Sequence, residues 1–290
     1  MGAKPLSGMR IIICGKGGGG KSTITALMAG VLTEKGYEVH VVDGDPSNPG
    51  LYRMLGFKET PESLMVFFGG TVFTGGKVTC PVDDPFPLPG GTIGLDEIPD
   101  KYFKQREGIT FFRTGKIQVA FEGCDGPEDK IARDFIVPGD QVTLVDIKAG
   151  LEHFGRGVEI NYDGVITVVD PNVIAFEIAG RVKKMVEGMK SGISPAVSHL
   201  ENPEQVEMMR KLAKSAKLRY AWTILNKADS EEVESVMTRE LGKRGIEPVG
   251  SVRYDPEIFK SCLEDTPLRE SGAKKDVEEI INRLEEKVSL

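Results

Sequence analysis

The chain has 290 residues, of which 40% are hydrophobic and 28% charged, as in ordinary globular proteins. Its net charge of −7 argues against a dedicated nucleic-acid binder, and four cysteines are too few for a disulfide scaffold. No apolar run could span a membrane and no secretory signal is recognised, so we expect a cytoplasmic protein with a single domain over residues 1–290.

The first elements predict a strand, a helix and a second strand. Arg10–Cys14 is a short β-branched run, typical of a buried parallel strand. Residues 24–31 carry apolar side chains at the spacing of one helix face, and Val39–Val42 forms the second strand. Two strands joined by a helix imply a parallel sheet with a right-handed crossover.

A glycine-rich loop, Gly15–Ser22, lies between the first strand and the helix and matches the phosphate-binding pattern G-x-x-x-x-G-K-[ST]. Glycines let backbone N–H groups turn toward phosphate oxygens, and the helix N-terminus favours anions. We expect Lys21 to reach the terminal phosphates and the Ser22 hydroxyl to bind Mg²⁺. The candidate nucleotide-binding residues of the loop are Gly17, Gly18, Gly19, Gly20, Lys21, Ser22 and Thr23.

Residues 57–109 do not continue the strand–helix alternation. This stretch contains six prolines and many glycines, which favour turns over regular elements. We therefore expect an insertion on the core at about 57–109, of a length typical of a functional or mobile segment.

The alternation returns in the second half of the chain. Strands are predicted at Val142–Val145, Val165–Val169, Trp222–Leu225 and Val249–Val252. Helices are predicted at about 172–188, 203–216, 230–242 and 276–288. This order predicts a doubly wound, mostly parallel α/β sheet with helices on both faces, in which ligands bind at the carboxyl ends of the strands.

Lys16, directly after the first glycine, makes the loop resemble that of the deviant Walker-A P-loop ATPases, the family of MinD, ParA and the nitrogenase iron protein. The resemblance implies an ATPase that uses ATP and Mg²⁺ and forms an ATP-dependent homodimer. In it Lys16 would contact the partner's phosphates and act in catalysis with Lys21. A solvated loop charge is the alternative for Lys16.

Two aspartates, Asp43 and Asp45, end the second predicted strand in the sequence Asp43–Pro46. By resemblance to the family, Asp43 supports Mg²⁺ and Asp45 orients or deprotonates the attacking water. Phosphoryl transfer needs mainly positioning and charge neutralisation, which suits a carboxylate beside Mg²⁺ and lysines. An Asp-Pro turn is the structural alternative for Asp45.

Three later stretches agree with the resemblance. Asp146–Gly150 resembles the D-x-x-A-G switch, with Asp146 as a further Mg²⁺-associated acid. Asn226–Asp229 resembles the N-K-x-D segment on the adenine side, where Asn226 and Lys227 would bind the base; such a segment can accompany guanine, so ATP follows from the family resemblance. Val252–Pro256 resembles the loop that closes over the base, which makes Tyr254 a nucleotide-binding candidate.

Two stretches resemble the CooC-type carbon monoxide dehydrogenase maturation ATPases, which handle nickel. One is Asp146–Gly157, and the other runs from Glu97–Tyr102 through Gly115-Lys116 to Gly123-Cys124. This resemblance implies a maturation factor that dimerises on ATP, assists nickel insertion into a metalloenzyme such as carbon monoxide dehydrogenase, and has that enzyme or a metal carrier as its partner.

The chain departs from the nickel-handling members at two places. Cys124-Asp125-Gly126 stands where they carry Cys-x-Cys, and Lys148 stands where an acid is common. A Ni²⁺ or Zn²⁺ site at Cys124 on the dimer axis would have two thiolates only, and Asp125, Cys80 or a client ligand would have to complete it.

The remaining cysteines and one histidine have weaker patterns. Cys14 is expected in the core and Cys262 in helical packing. His153 follows the switch and either couples nucleotide state to conformation or is a hydrogen-bonded structural residue.

Two other functions fit parts of the sequence: a partition or positioning ATPase acting on DNA or membrane, and an iron–sulfur ATPase of the nitrogenase iron protein kind. The final helix has an acidic polar face that anionic lipid would repel. The basic run Arg210–Arg219 could bind DNA but is more often a solvated face, and Cys124 alone is placed like a cluster ligand. We therefore expect neither a nucleic-acid nor a membrane partner.

Overall fold

The structure is a computed structural model that describes residues 4–45, 47–48, 50–70, 78–115, 124–192, 194–264, 266–268 and 271–289. Within these ranges eight strands form one sheet in the order β3-β4-β2-β5-β1-β6-β7-β8. The strands are β1 Arg10–Gly15, β2 Val39–Gly44, β3 Lys104–Arg106, β4 Ile109–Arg113, β5 Val142–Ile147, β6 Gly164–Val169, β7 Tyr220–Ala228 and β8 Gly250–Arg253. All neighbours pair in parallel except β3 and β4, which are antiparallel.

Helices cover both faces of this sheet. In the described ranges they are α1 Lys21–Glu34, α2 Leu51–Met54, α3 Leu64–Phe67, α4 Gly126–Asp134, α5 Glu152–Gly155, α6 Val173–Lys190, α7 Pro203–Lys214, α8 Glu231–Gly242, α9 Pro256–Glu264 and α10 Ala273–Ser289. Short 3-10 turns lie at Leu95–Glu97, Asp100–Tyr102 and Val158–Asn161. None of the described helices is both long and apolar enough to cross a membrane.

Strand β1 shows how the two faces are filled. Ile11 and Ile13 point into the core that α1 and α10 cover, whereas Ile12 and Cys14 join the core on the opposite face. Every residue of β1 is buried, as expected for a strand in the middle of a parallel sheet. The predicted doubly wound α/β fold and the core position of Cys14 are confirmed; burial raises the pKa of the Cys14 thiol to about 12.

The segment expected as an insertion, 57–109, is described at 57–70 and 78–109. Its last residues form β3, which pairs with β4 at the edge of the sheet. This end of the segment therefore extends the core sheet, contrary to the expected boundary. The strands are so short, and follow so many prolines and glycines, that no alternation marks them.

Helix α4 was not predicted because its buried face is charged. All nine of its residues are buried, although the sequence GPEDKIARD contains five charges. Ion pairs satisfy much of this charge: Lys130 Nζ lies 2.6 Å from Asp84 Oδ2, and Arg133 Nη2 lies 2.8 Å from Asp134 Oδ2. The apolar spacing that reveals a buried helix is therefore absent from this sequence.

Candidate active site

The glycine-rich loop connects the end of β1 to the start of α1, as the sequence predicts. Gly15 has φ +143°, and a Cβ there would lie 2.5 Å from the carbonyl oxygen of Val168. Gly20 has φ +96°, and a Cβ there would lie 2.1 Å from Asn226 Nδ2. Both positive φ values favour glycine, and at Gly15 a side chain would also collide with the backbone of β6. No side chain caps α1 at Gly20, which suits a helix start that accepts an anion.

Two carboxylates and a hydroxyl meet at the carboxyl ends of β2 and β5. Asp43 and Asp146 are directly opposite in the register of these strands. Ser22 Oγ donates to Asp146 Oδ2 at 2.5 Å and accepts from Asn48 Nδ2 at 2.8 Å. Asp146 Oδ1 is buried and has no hydrogen-bond partner among the described residues.

Burial raises the pKa of Asp146 to about 7, although the hydrogen bond from Ser22 lowers it, and the nearby charge of Asp43 adds to the rise. A carboxylate that is costly to ionise here becomes stable when a cation neutralises it. Hard oxygen donors are what Mg²⁺ prefers. The residues present therefore fit Mg²⁺, with Ser22, Asp43 and Asp146 as its candidate ligands, directly or through water.

Asp45 is buried one residue past the end of β2. Its Oδ1 accepts hydrogen bonds from the backbone N of Ser47 at 2.9 Å and from Ser47 Oγ at 2.6 Å. This is the turn-forming contact of the structural alternative. The same residue also lines the cavity at the phosphate loop.

A cavity of about 680 Å³ opens beside the phosphate loop and contains most of the predicted nucleotide-binding residues. Asn226, Lys227 and Tyr254 line it, together with Lys21 and Ser22. Gly19 does not line it, and its backbone carbonyl oxygen accepts a hydrogen bond from Asn226 Nδ2 at 2.8 Å.

The segment Asn226–Asp229 contacts the phosphate loop at a second point. Lys227 has φ +62°, which is uncommon outside glycine, and its Nζ donates to Gly18 O at 2.7 Å. Asn226 and Lys227 thus contact the phosphate loop as well as the cavity, a structural task that the sequence did not predict.

The apolar wall of this cavity was not predicted from the sequence. Helix α9 contributes Ile258, Phe259 and Cys262, and α2 contributes Met54. Apolar side chains of this kind suit the faces of a nucleobase. The expectation that Cys262 packs in a helix interface is wrong, since its side chain is exposed at the cavity. The signal was the Asp255-Pro256 pair, a helix start with proline in the first turn.

Lys16 does not line this cavity. Its Nζ lies 3.3 Å from Asp170 Oδ2 and donates to Gly17 O at 3.1 Å. Asp170 directly follows β6, and its side chain is 15% exposed against 25% for Lys16. The lysine is therefore held by a carboxylate of its own chain and is not the freely solvated charge of the alternative interpretation.

Cys124 is exposed just before α4. A Cβ on Gly126 would lie 2.8 Å from Cys80 Sγ, so the Cys80 side chain fills the space that a side chain at position 126 would take. Within the described residues no three His, Cys, Asp or Glu side chains of one chain are grouped to hold a metal. Pro46, Lys116 and Gly123, named in the sequence motifs, lie outside the described residues.

His153 is buried beneath the switch. Its Nε2 lies 3.1 Å from Gly150 O, and its Nδ1 hydrogen-bonds Glu159, which is fully buried. These contacts satisfy both ring nitrogens and support the structural interpretation, while they also fix the last residue of the switch.

Comparison with known sequences shows which family the chain resembles. The model of the CobQ/CobB/MinD/ParA nucleotide binding domain matches residues 11–268. An uncharacterized ATP-binding protein of Methanocaldococcus jannaschii is 31% identical over 281 residues, which cover 95% of this chain and 100% of that protein. The carbon monoxide dehydrogenase accessory protein CooC of Rhodospirillum rubrum is 29% identical over 203 residues, which cover 67% of this chain and 74% of that protein.

Solved structures share the fold at low sequence identity. The septum site-determining protein MinD of Pyrococcus horikoshii, complexed with Mg-ADP, superimposes with a TM-score of 0.63 at 17% identity over 95% of each chain. The MinC:MinD cell division complex of Aquifex aeolicus gives 0.61, also at 17% identity over 95% of each chain. The predicted family and the predicted enzyme class are confirmed: the chain belongs to the CobQ/CobB/MinD/ParA nucleotide-binding family and is a P-loop ATPase.

Proposed function

We propose that this ATPase is a metallocentre maturation factor, which dimerises on ATP and assists the insertion of nickel into a metalloenzyme such as carbon monoxide dehydrogenase. One observation carries the proposal. The candidate metal ligand Cys124 adjoins Asp125, whose carboxylate is bonded to Lys148 of the nucleotide switch at 2.7 Å. The similarity to CooC over 67% of the chain also supports a role in the maturation of a metalloenzyme.

In the proposed reaction each side chain has a separate task. Lys21 binds the terminal phosphates, and Asp45 orients the attacking water and accepts its proton. Ser22, Asp43 and Asp146 hold Mg²⁺, which supplies charge neutralisation on the phosphates when it is bound. Asn226, Lys227 and Tyr254 line the part of the site proposed for the base.

The proposed dimer would use Lys16 across the interface. In one chain Asp170 holds this lysine, and Val173 and Ile174 follow at the start of α6 with exposures of 64% and 56%. Exposed apolar side chains beside a functional loop are typical of surfaces covered by a partner. The ATP-bound dimer would bury this region and bring Lys16 to the partner's phosphates.

The proposed metal site would combine Cys124 with Cys80. Cys80 occupies the place of a side chain at position 126, where the Cys-x-Cys of the nickel-handling relatives would have its second cysteine. Two thiols in each chain would give four in a dimer, which suits Ni²⁺ or Zn²⁺ better than two.

Metal analysis tests this proposal. The protein is purified anaerobically, and its nickel and zinc content per dimer is measured with an ATP analogue, with ADP and without nucleotide. We expect at most one divalent metal per dimer, bound in the ATP state and lost in Cys124→Ser. Stoichiometric metal that survives Cys124→Ser would show that the ligand is wrong. Metal-free protein in every nucleotide state would favour an ATPase that acts on its client by conformational change alone.

A further inference from the structure

Lys148 has no task in the reaction described above. It lies inside the D-x-x-A-G switch, one residue before Ala149, and its side chain lines the same cavity as Lys21 and Asp45. Its Nζ donates to Asp125 Oδ2 at 2.7 Å, and its side chain is 49% exposed. One lysine therefore stands at the nucleotide cavity while bonded to the residue next to Cys124.

Asp125 is shared between two cations. Oδ2 accepts from Lys148, and Oδ1 lies 3.0 Å from Arg156 Nη1. The Asp125 side chain is 10% exposed, and both cations together hold its pKa below the usual range against the effect of burial. If Lys148 leaves, Asp125 keeps its contact with Arg156, which also donates to Asp129 Oδ2. The exchange therefore leaves one arginine shared by two largely buried carboxylates, and binding of Lys148 to phosphate has to offset that cost.

The backbone around Lys148 is fixed to the phosphate loop on both sides. Asp146 accepts from Ser22 of α1, and the N–H of Gly150 donates to Gly15 O at 3.3 Å. His153 adds a contact to the carbonyl of Gly150. The switch is thus anchored to the phosphate loop before and after Lys148, so we expect the change of partner to come mainly from the Lys148 side chain.

We propose that Lys148 is a second phosphate-binding lysine, which exchanges Asp125 for the terminal phosphate of a bound nucleoside triphosphate. A half-exposed ion pair contributes little, whereas a multiply charged phosphate in the cavity attracts the ammonium strongly. A diphosphate lacks the terminal group and leaves Lys148 on Asp125. Asp125 follows Cys124 and precedes the first residue of α4. Binding of a triphosphate would therefore change the contacts of the residues at the start of α4. The inference rests on the proposed nucleotide site and not on metal binding.

Calorimetric titration tests the exchange through two substitutions with opposite effects. The parent, Lys148→Ala, Lys148→Arg and Asp125→Asn are titrated with the Mg²⁺ salts of ADP and of a non-hydrolysable ATP analogue. Lys148→Ala should lower the affinity for the analogue by about ten-fold, the size expected for one charge-assisted hydrogen bond. Its affinity for ADP should stay within about two-fold of the parent's. Lys148→Arg should retain most of the affinity. Asp125→Asn should bind the analogue more tightly than the parent does, because Lys148 loses its competing partner.

Two controls separate this exchange from general damage. Lys183→Ala removes a lysine of α6 that pairs with Glu187 on the surface, and it should leave both affinities unchanged. ADP affinity and thermal unfolding report the folding of each variant. Equal weakening of ADP and analogue by Lys148→Ala, or weaker analogue binding in Asp125→Asn, would show that the pair is structural and overturn the proposal. So would an unchanged affinity of Lys148→Ala for the analogue.

Hydrogen exchange provides a readout at the other end of the contact. Backbone amides 125–131 should exchange faster with the analogue than with ADP in the parent, and equally fast in Lys148→Ala. The same protection in both nucleotide states of the parent would contradict the exchange of partners. Metal content is not part of either measurement, so a failure of the proposed maturation function would leave these outcomes unaltered.

Discussion

Lys16 and Asp170 form an ion pair within one chain, with Lys16 Nζ 3.3 Å from Asp170 Oδ2. The two residues come from the ends of neighbouring parallel strands, β1 and β6. The second oxygen of Asp170 is buried and has no hydrogen-bond partner among the described residues. A lysine proposed to act on a partner subunit is therefore held in its own chain by one oxygen of a carboxylate whose other oxygen has no hydrogen-bond partner among the described residues.

This pair predicts opposite effects of two substitutions on dimerisation. Lys16→Ala should bind ATP as a monomer, because a ligand shifts an equilibrium only by its differential affinity for the two states. Asp170→Asn should dimerise with ATP at lower protein concentration than the parent, since Lys16 no longer has to leave an anion. Sedimentation velocity with ATP and with ADP measures both. Equal ATP-dependent dimerisation of Lys16→Ala and the parent would remove the role across the interface.

The phosphate loop and Asp45 should separate binding from turnover. Lys21→Ala removes the lysine of the phosphate loop that is proposed to bind the terminal phosphates, and it should lower the affinity for ATP by more than about ten-fold. Asp45→Ala should still bind ATP but hydrolyse it about 10²–10³ times more slowly, the usual loss for one positioned transition-state group. Titration calorimetry and phosphate release measure the two effects. Unchanged turnover of Asp45→Ala would leave only the turn with Ser47 as the role of this residue.

Much of the fold could be predicted from the sequence because apolar periodicity marks elements with an apolar buried face. The strands β1, β2, β5, β6, β7 and β8 follow this pattern, and the phosphate loop has a fixed spacing between β1 and α1. Helix α4 could not be predicted this way, because ion pairs such as Lys130–Asp84 fill its buried surroundings. The strand β4 could not be separated from the Pro/Gly-rich segment that precedes it.

The candidate site also contains residues that could be predicted from the sequence and contacts that could not. Residues in motifs with fixed spacing, such as Ser22 and Asp146, were found in the sequence and meet in the structure. Contacts between distant segments were not predicted: Lys148 with Asp125, Lys16 with Asp170, and Cys80 against Gly126. A single sequence contains no signal for such pairs, because they depend on how loops pack over the end of the sheet.

A buried histidine predicts how stability depends on pH. Burial lowers the pKa of His40 on β2 to about 4, below the value of about 6.5 for an unfolded chain. The unfolded state therefore binds more protons between these values, so the free energy of unfolding falls as pH decreases from about 6.5 to 4. The loss from this group reaches about 3 kcal/mol.

Urea unfolding at several pH values checks this expectation, with His40→Leu as the comparison. The substituted chain should lose less stability over the same interval, because it has no imidazole to protonate on unfolding. Parallel pH profiles of the two proteins would show that other groups cause the acid sensitivity.

The proposed metal site predicts a difference between two cysteines that are both accessible. Cys80→Ser should lower the affinity for Zn²⁺ or Ni²⁺ in the ATP-bound dimer, because it removes one of two proposed thiols in each chain. Cys262→Ser should leave metal affinity unchanged, since Cys262 lies at the nucleotide cavity. Competition with a colorimetric chelator measures both variants. Equal metal affinity of Cys80→Ser and the parent would restrict the site to Cys124.

Metal release during a single turnover tests the central claim most directly. The dimer is loaded anaerobically with ATP and Zn²⁺ or Ni²⁺, and hydrolysis and transfer of metal to a chelator are followed together. The proposal predicts that metal leaves at the rate of hydrolysis in the parent and stays bound in Asp45→Ala. Release at the same rate in both proteins, or metal that stays bound after complete hydrolysis, would contradict the coupling of ATP turnover to metal delivery.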